Sequence, residues 1–194
     1  MIKILASLLL VLMFALIQAR TAVAWTTVTH DDIVDVVYYS LPTDAQQNLS
    51  LEIMRSGSDD PDFKFFDFSY HHYPASYTKV DYWLDRGELA YKNGDYEQAS
   101  YSFGVASHYI SDSFCAPHCV SATTGYHTLY EVQATLLTPQ LTYKSGNLKT
   151  LMANGHLKGQ YSWNSWMTNR DPSYVQADLN RAASACYVAI NNRI

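Results

Sequence analysis

Apolar positions recur along this chain at intervals of three and four, the spacing of helices with one buried face, and no alternating strand pattern stands out. The first such segment runs from His30 to about Tyr39. Ile33, Val36 and Val37 form its apolar side, Thr29 is placed to cap it, and Asp31 and Asp32 suit the positive end of the helix dipole. Pro42-Thr43-Asp44 opens a second helix that runs to about Arg55 and stops at Ser56-Gly57. Residues 57–75 lose the helical period and hold Gly57, Pro61 and Pro74, which predicts a long loop; loops of that length in compact domains tend to carry function. A helical hairpin follows, from about Tyr77 to Lys92, through a turn at Asn93-Gly94-Asp95, and from about Tyr96 to Phe114. Further helices are predicted from about Thr124 to Leu137 and from about Pro172 to Asn192, the last packed by Ala177, Ala182, Ala183, Ala185, Val188 and Ala189. Thr138 to Arg170 is rich in Trp, Tyr and Asn and reads as part helix and part loop. The pattern as a whole predicts an all-α, single-domain helical bundle.

The stretch Gly87-Glu88-Leu89-Ala90-Tyr91, continued by Gly94-Asp95-Tyr96, Ala99 and Phe103, is similar to a tetratricopeptide hairpin. An array of such repeats needs three or more copies, and with no second copy in the sequence the hairpin stands alone.

The first 24 residues follow a different rule. Lys3 supplies a positive start, Ile4 to Ile17 is almost wholly apolar, Gln18 to Thr21 is polar, and Ala22-Val23-Ala24 has the small-x-small form of a cleavage site. The apolar run of about 14 residues falls short of the ~20 that span a bilayer. Residues 1–24 are therefore expected to be a secretory signal, leaving residues 25–194 as one domain, extracellular or periplasmic, with no transmembrane helix after processing. Cleavage would make Trp25 the new N-terminus, with a free α-amine.

Removing Lys3 and Arg20 from the 13 basic residues, against 18 acidic ones, moves the formal net charge from −5 to −7. No block of Lys or Arg is present, which counts against strong binding of duplex nucleic acid. An enzyme whose metal ions supply the positive charge remains compatible with this balance. The three Cys, at 115, 119 and 186, allow one disulfide plus one buried thiol after export, with the pair unassigned. Cys115 and Cys119 also flank His118, so thiolate ligation is a second reading of those two.

The chemistry concentrates between His108 and Glu131. His108 and Asp112 stand four apart, as do His127 and Glu131, with His118 between the pairs. On a helix each pair lies on one face and can present an imidazole and a carboxylate to one metal ion. Zinc takes such nitrogen and oxygen ligands, usually four, with one position open when it is catalytic. Either pair alone reads equally well as a solvated ion pair. The sum of the remaining candidates favours a polynuclear site: His30 lies just beyond the new N-terminus, and the 57–75 segment carries Asp59, Asp60, Asp62, Asp67, His71 and His72. His156 fits no pattern and reads as a surface loop residue.

In this order the residues resemble the zinc-dependent phospholipase C family, which shares its fold with the fungal single-strand-specific zinc nucleases. The family pattern runs through a mature N-terminal Trp, an early His, an Asp-to-His loop, His-x-x-x-Asp, His, and His-x-x-x-Glu. It is met here by Trp25, His30, Asp62, His72, His108 with Asp112, His118, and His127 with Glu131. Gly57-Ser58-Asp59-Asp60-Pro61-Asp62 and residues 85–131 are similar to the clostridial alpha-toxin branch, while the step from Trp25 to His30 looks like the nuclease branch. Asp62 is preferred over Asp59 and Asp60, and His72 over His71.

The resemblance implies a trinuclear zinc site in a cleft. The Trp25 amine and carbonyl, His30 and one Asp112 oxygen would hold the first ion. Asp62, His72, His108 and the other Asp112 oxygen would hold the second, and His118, His127 and Glu131 the third. It further implies phosphodiester hydrolysis of the phospholipase C type by metal-activated water, with Asp62 also as general base and phospholipid as substrate. The alternative is a nuclease or nucleotidase acting on single-stranded nucleic acid through the same three ions. No protein partner is implied. The toxin branch's additional lipid-docking domain has no counterpart before Ile194, so weak activity on packed membranes is expected.

Overall fold

The computed structural model describes residues 25–122 and 125–194, and the expected signal segment lies outside the described residues. Among the described residues the chain forms nine α-helices and no strand, in keeping with the all-α expectation.

Helix α1 spans Thr27–Ser40 and starts three residues earlier than its apolar period suggests. Thr26, rather than Thr29, is its cap: the Thr26 hydroxyl accepts from the Thr29 amide. The single helix expected over 42–55 is two, α2 (Thr43–Asn48) and α3 (Leu51–Asp60). They part at Leu49-Ser50, where Ser50 is extended, accepts from the Ile53 amide, and donates its own amide to Ser100 Oγ at 2.9 Å.

The loop expected over 57–75 is also corrected. Gly57 does not end a helix; α3 continues through it to Asp60, then widens into one π-helical turn, Pro61–Phe65, followed by a 3₁₀ turn, Phe68–Tyr70. The glycine is required by packing. A Cβ on Gly57 would stand 2.5 Å from the Tyr101 carbonyl oxygen, and one on Gly104 would meet the Met54 carbonyl. Two glycines thus let two helices cross backbone to backbone.

The hairpin forms as expected. Helix α4 covers Ala75–Lys92, Gly94 takes φ +76° in the turn, and Asp95 caps α5, Tyr96–Asp112, by accepting from the Gln98 amide. Helix α5 is the axis of the molecule, with α4 and α3 against it and α1 and α9 (Pro172–Asn191) closing the remaining sides. It is buried from Ala99 almost without interruption to Asp112. Three of its four buried serines donate back to a helix carbonyl, Ser100 to Tyr96, Ser107 to Phe103 and Ser111 to His108, and Ser102 accepts from the Gln98 side chain.

A short helix α6 (Ala116–Cys119), then α7 (Gly125–Ala134), lead into α8 (Leu148–Asn169). The segment expected to be mixed therefore holds a 22-residue helix, capped by Asn147 and ended at Arg170 with φ +60°. Its Gly155 lies under the Phe114 ring and its Gly159 beside Cys119, so the small residues that blur its period are contact points. His156 sits on this helix, half-buried, and is not a loop residue. All three cysteines are free and buried, which replaces the expected disulfide. Cys119 and Cys186 direct their Sγ at the Ser113 and Ser107 carbonyls.

Candidate metal centre

The last turn of α5 carries His108 and Asp112, both fully buried. His108 Nδ1 donates to the Ser58 carbonyl at 2.7 Å, using one of the carbonyls that the end of α3 leaves unpaired. That bond fixes the tautomer and leaves the Nε2 lone pair facing Asp112 Oδ2 at 3.1 Å. From α1, His30 brings its Nε2 to 3.3 Å from the other oxygen, Asp112 Oδ1. Its Nδ1 meets Ser111 Oγ at 3.1 Å, and because that hydroxyl already donates to the His108 carbonyl, His30 is the donor. Asp112 thus turns one oxygen to each of two neighbours.

The π-helical turn delivers Asp62, whose Oδ1 lies 3.5 Å from His71 Nδ1 and 3.8 Å from His108 Nε2. His71 follows the 3₁₀ turn and places Nδ1 2.9 Å from Asp112 Oδ2. Here the sequence-based choice is corrected. His72 is exposed, whereas His71 is 1% exposed, packed on the rings of Phe68 and Tyr109. Consecutive residues beyond a turn project to different sides, and the 3₁₀ turn aims the first of the pair inward. Of the competing aspartates, Asp60 is taken up by Lys64 at 2.9 Å and Tyr101 at 2.8 Å, while Asp59 is half-buried outside the cluster.

A third set lies on the other side of His71. His118 Nδ1 donates to the His71 carbonyl at 2.8 Å, and His127 Nδ1 donates to the Ala122 carbonyl at 2.8 Å. Their rings stand 5.0 Å apart, and His127 Nε2 is 2.6 Å from Glu131 Oε1 one turn along α7. No thiol joins any of the three sets among the described residues, so ligation by Cys115 or Cys119 is not supported. Trp25 is fully buried, its indole Nε1 donating to the Ser111 carbonyl at 3.0 Å, which holds the expected N-terminus against the turn that carries Asp112.

The donor atoms fit a metal. His30 Nε2, Asp62 Oδ1, both Asp112 oxygens, His118 Nε2, His127 Nε2 and Glu131 Oε1 are buried without a hydrogen-bond partner. Buried polar atoms are nearly always satisfied, so a group of orphans facing one another needs a shared partner. Four donors at about 2.1 Å from a tetrahedral zinc lie about 3.4 Å from each other, and the separations in the first two sets bracket that value. His30, His108, His118 and His127 present bare Nε2 atoms because Nδ1 is occupied by an acceptor, the arrangement that orients metal-binding imidazoles.

Electrostatics agree. Burial opposes ionisation of Asp112, but His108 and His30 outweigh it and hold the carboxyl well below the usual range. Burial pushes Glu131 up to about 7, partly offset by His127, and pushes His118 down to about 4, so that its imidazole is neutral. Burial also raises Asp62, against the pull of His108. Carboxylates kept unwillingly charged or protonated by burial are those that a bound cation would relieve.

The model of one protein family, described as zinc dependent phospholipase C, matches residues 29–177. No curated protein and no solved structure gives a significant match. The match spans most of the chain and contains every residue of the three sets, and the chain belongs to the zinc-dependent phospholipase C family.

Proposed function

We propose that this protein is a secreted phosphodiesterase of the phospholipase C type, holding three zinc ions and releasing a phosphorylated head group from a lipid alcohol. The ligand sets are His30 with Asp112 and, after cleavage, the Trp25 amine and carbonyl; Asp62, His71, His108 and Asp112; and His118, His127 and Glu131. When bound, zinc supplies positive charge to the phosphodiester and acidifies a water for attack. Asp62 takes the proton of that water as general base. The new bond joins the water oxygen to phosphorus, the bond to the lipid oxygen breaks, and the alcohol leaves with a proton. Asp112 and His108 are fully buried, so bulk water does not compete at their own ligand atoms.

The observation that favours lipid over nucleic acid is exposed apolar surface on two elements that carry ligands. Phe63 and Phe66, 60% and 64% exposed, follow Asp62 in and just after the π-helical turn, and Tyr126, Leu129 and Val132 are exposed on α7, the helix whose buried side carries His127 and Glu131. Exposed apolar side chains on the elements that carry the ligands suit a lipid substrate, and an acidic chain without a basic patch lacks the usual means of holding a phosphate backbone.

The test is made on exported protein whose N-terminus is read by mass spectrometry. Zinc content and initial rates on phosphatidylcholine dispersions and on single-stranded DNA are measured side by side, before and after chelation and zinc restoration. About three zincs and chelator-sensitive lipid cleavage support the proposal. Preferential cleavage of DNA moves the protein to the nuclease reading, and an N-terminus other than Trp25 removes the amine ligand.

A further inference from the structure

Four of the five histidines in the centre share one design. The nitrogen turned away from the cluster donates to an uncharged acceptor: the Ser111 hydroxyl for His30, and the Ser58, His71 and Ala122 carbonyls for His108, His118 and His127. His71 departs from it. Its Nδ1 faces Asp62 and Asp112, and its Nε2, buried and without a hydrogen-bond partner, faces the carboxylate of Asp67, with Oδ1 at 3.7 Å.

We propose that Asp67 is a positioning residue of the metal centre: it receives the Nε2–H of His71 and so holds that ring with Nδ1 toward the zinc shared by Asp62, His108 and Asp112. The proposal rests on the zinc centre and not on which phosphodiester is cleaved.

Two side chains fix the carboxylate, and the backbone of its own turn sets the ring over it. Tyr109 on α5 donates its hydroxyl to the two oxygens at 2.9 and 2.8 Å, and Lys79 on α4 reaches Oδ2 at 2.7 Å. The third constraint is local: the Asp67 carbonyl accepts from the Tyr70 amide, so the 3₁₀ turn folds the chain back and sets His71 above Asp67. The carboxylate is therefore held from α4 and α5, while the imidazole makes no hydrogen bond outside the centre. At 3.7 Å the gap exceeds a hydrogen bond, and a ring displacement of roughly 0.7 Å closes it. A negative charge behind an imidazole fixes its tautomer and raises its basicity as a ligand, and losing such a partner typically costs about 10–100-fold in metal affinity.

A purely structural alternative exists on the same page: Asp67 ties its turn to α4 and α5 through Lys79 and Tyr109. The variants separate the two. Zinc affinities of the mature protein are measured by competition with a chromophoric chelator for wild type, Asp67→Asn, Asp67→Ala and Tyr109→Phe, together with thermal unfolding of the zinc-free forms. The ring N–H resonances of the zinc-loaded proteins are read by NMR. The expected result is a 10–100-fold loss of affinity at one zinc in both Asp67 variants and loss of the downfield His71 Nε2–H signal. Tyr109→Phe, which keeps the carboxylate, loses less affinity and keeps that signal. Unchanged affinity in Asp67→Asn, or affinity losses that merely follow zinc-free stability across all variants, overturns the proposal. Failure of the wild-type protein to cleave phospholipid leaves these readouts intact and sinks only the assigned substrate.

Discussion

His71 and His118 are joined by a 2.8 Å hydrogen bond from His118 Nδ1 to the His71 carbonyl, so one residue serves two ligand sets. The His71 ring enters the set of Asp62 and Asp112, and its backbone orients the first ligand of the set completed by His127 and Glu131. A substitution at His71 removes only the ring. His71→Ala is expected to lose one zinc and nearly all activity while His118 keeps its carbonyl, and His72→Ala, at an exposed position, is expected to keep zinc content and rate within about twofold of wild type. Metal analysis of the two purified variants decides it; equal zinc loss in both returns the ligand to His72.

Asp112 offers one oxygen to His30 and the other to His71 and His108. Asp112→Ala is therefore expected to empty two sites at once, lowering zinc content from about three to about one. Asp112→Asn, similar in shape but uncharged, is expected to bind the remaining pair at least tenfold more weakly, as charge is the main attraction for a divalent ion. Loss of only one zinc in the alanine variant would mean that the carboxylate does not bridge.

Removing metal leaves the donor atoms buried and unpaired, so zinc-free protein is expected to be markedly less stable. A ligand present at about 1,000 times its Kd stabilises the fold by ~4 kcal/mol, which for a chain of this size is a Tm change of roughly 8–16 °C. Thermal scans with and without a strong chelator measure it directly, and an unchanged Tm would show that the fold does not depend on the metal.

The third set has its own pH dependence. Burial pushes Glu131 up to about 7, with His127 pulling the other way, while His118 is held near 4 by burial. Zinc must displace the Glu131 proton, so affinity at this set is expected to fall about tenfold per pH unit below 7. In zinc-free protein the sign reverses. Between the ordinary value of 4.5 and about 7 the folded chain binds this proton and the unfolded chain does not, so Glu131's contribution to stability is lost as pH rises through 7. Zinc titrations at pH 6 and 8 test the first statement, and chelated unfolding midpoints of wild type and Glu131→Gln across that range test the second.

Gly104→Ala drives a Cβ into the Met54 carbonyl where α5 crosses α3. Overpacking of this kind costs about 1–3 kcal/mol, a Tm fall of roughly 3–10 °C. Because α3 supplies the Ser58 carbonyl that orients His108, weaker zinc binding is expected to accompany it. Gly125→Ala is the control, since among the described residues nothing lies within 4 Å of its added Cβ. Equal stability losses in the two would mean that the crossing tolerates a methyl group.

The hairpin was legible because its signals are local. The apolar period, the Asn93-Gly94-Asp95 turn and the Asp95 cap act within a few residues and need no partner. The boundaries around residues 42–75 were not, because Gly57 reads as a helix stop in sequence and only contact with Tyr101 shows it to be a packing residue. The same holds for α8, whose Gly155 and Gly159 interrupt a period they serve in space. Asp67 was one acid among several in the segment, and only the proximity of Tyr109, Lys79 and His71 sets it apart.

The sequence by itself determined the helical class and the two His-to-carboxylate pairs, since four-residue spacing on a helix is geometry within one element. It also supplied the family resemblance, which the match over residues 29–177 bears out. Tertiary structure decided which neighbour of each ambiguous pair turns inward: His71 over His72, and Asp62 rather than Asp59 or Asp60. The physical reason is that side-chain direction after an irregular turn depends on backbone angles and on what the ring packs against. For His71 those are the Phe68–Tyr70 turn and the rings of Phe68 and Tyr109, the latter 38 positions further along the chain, on α5.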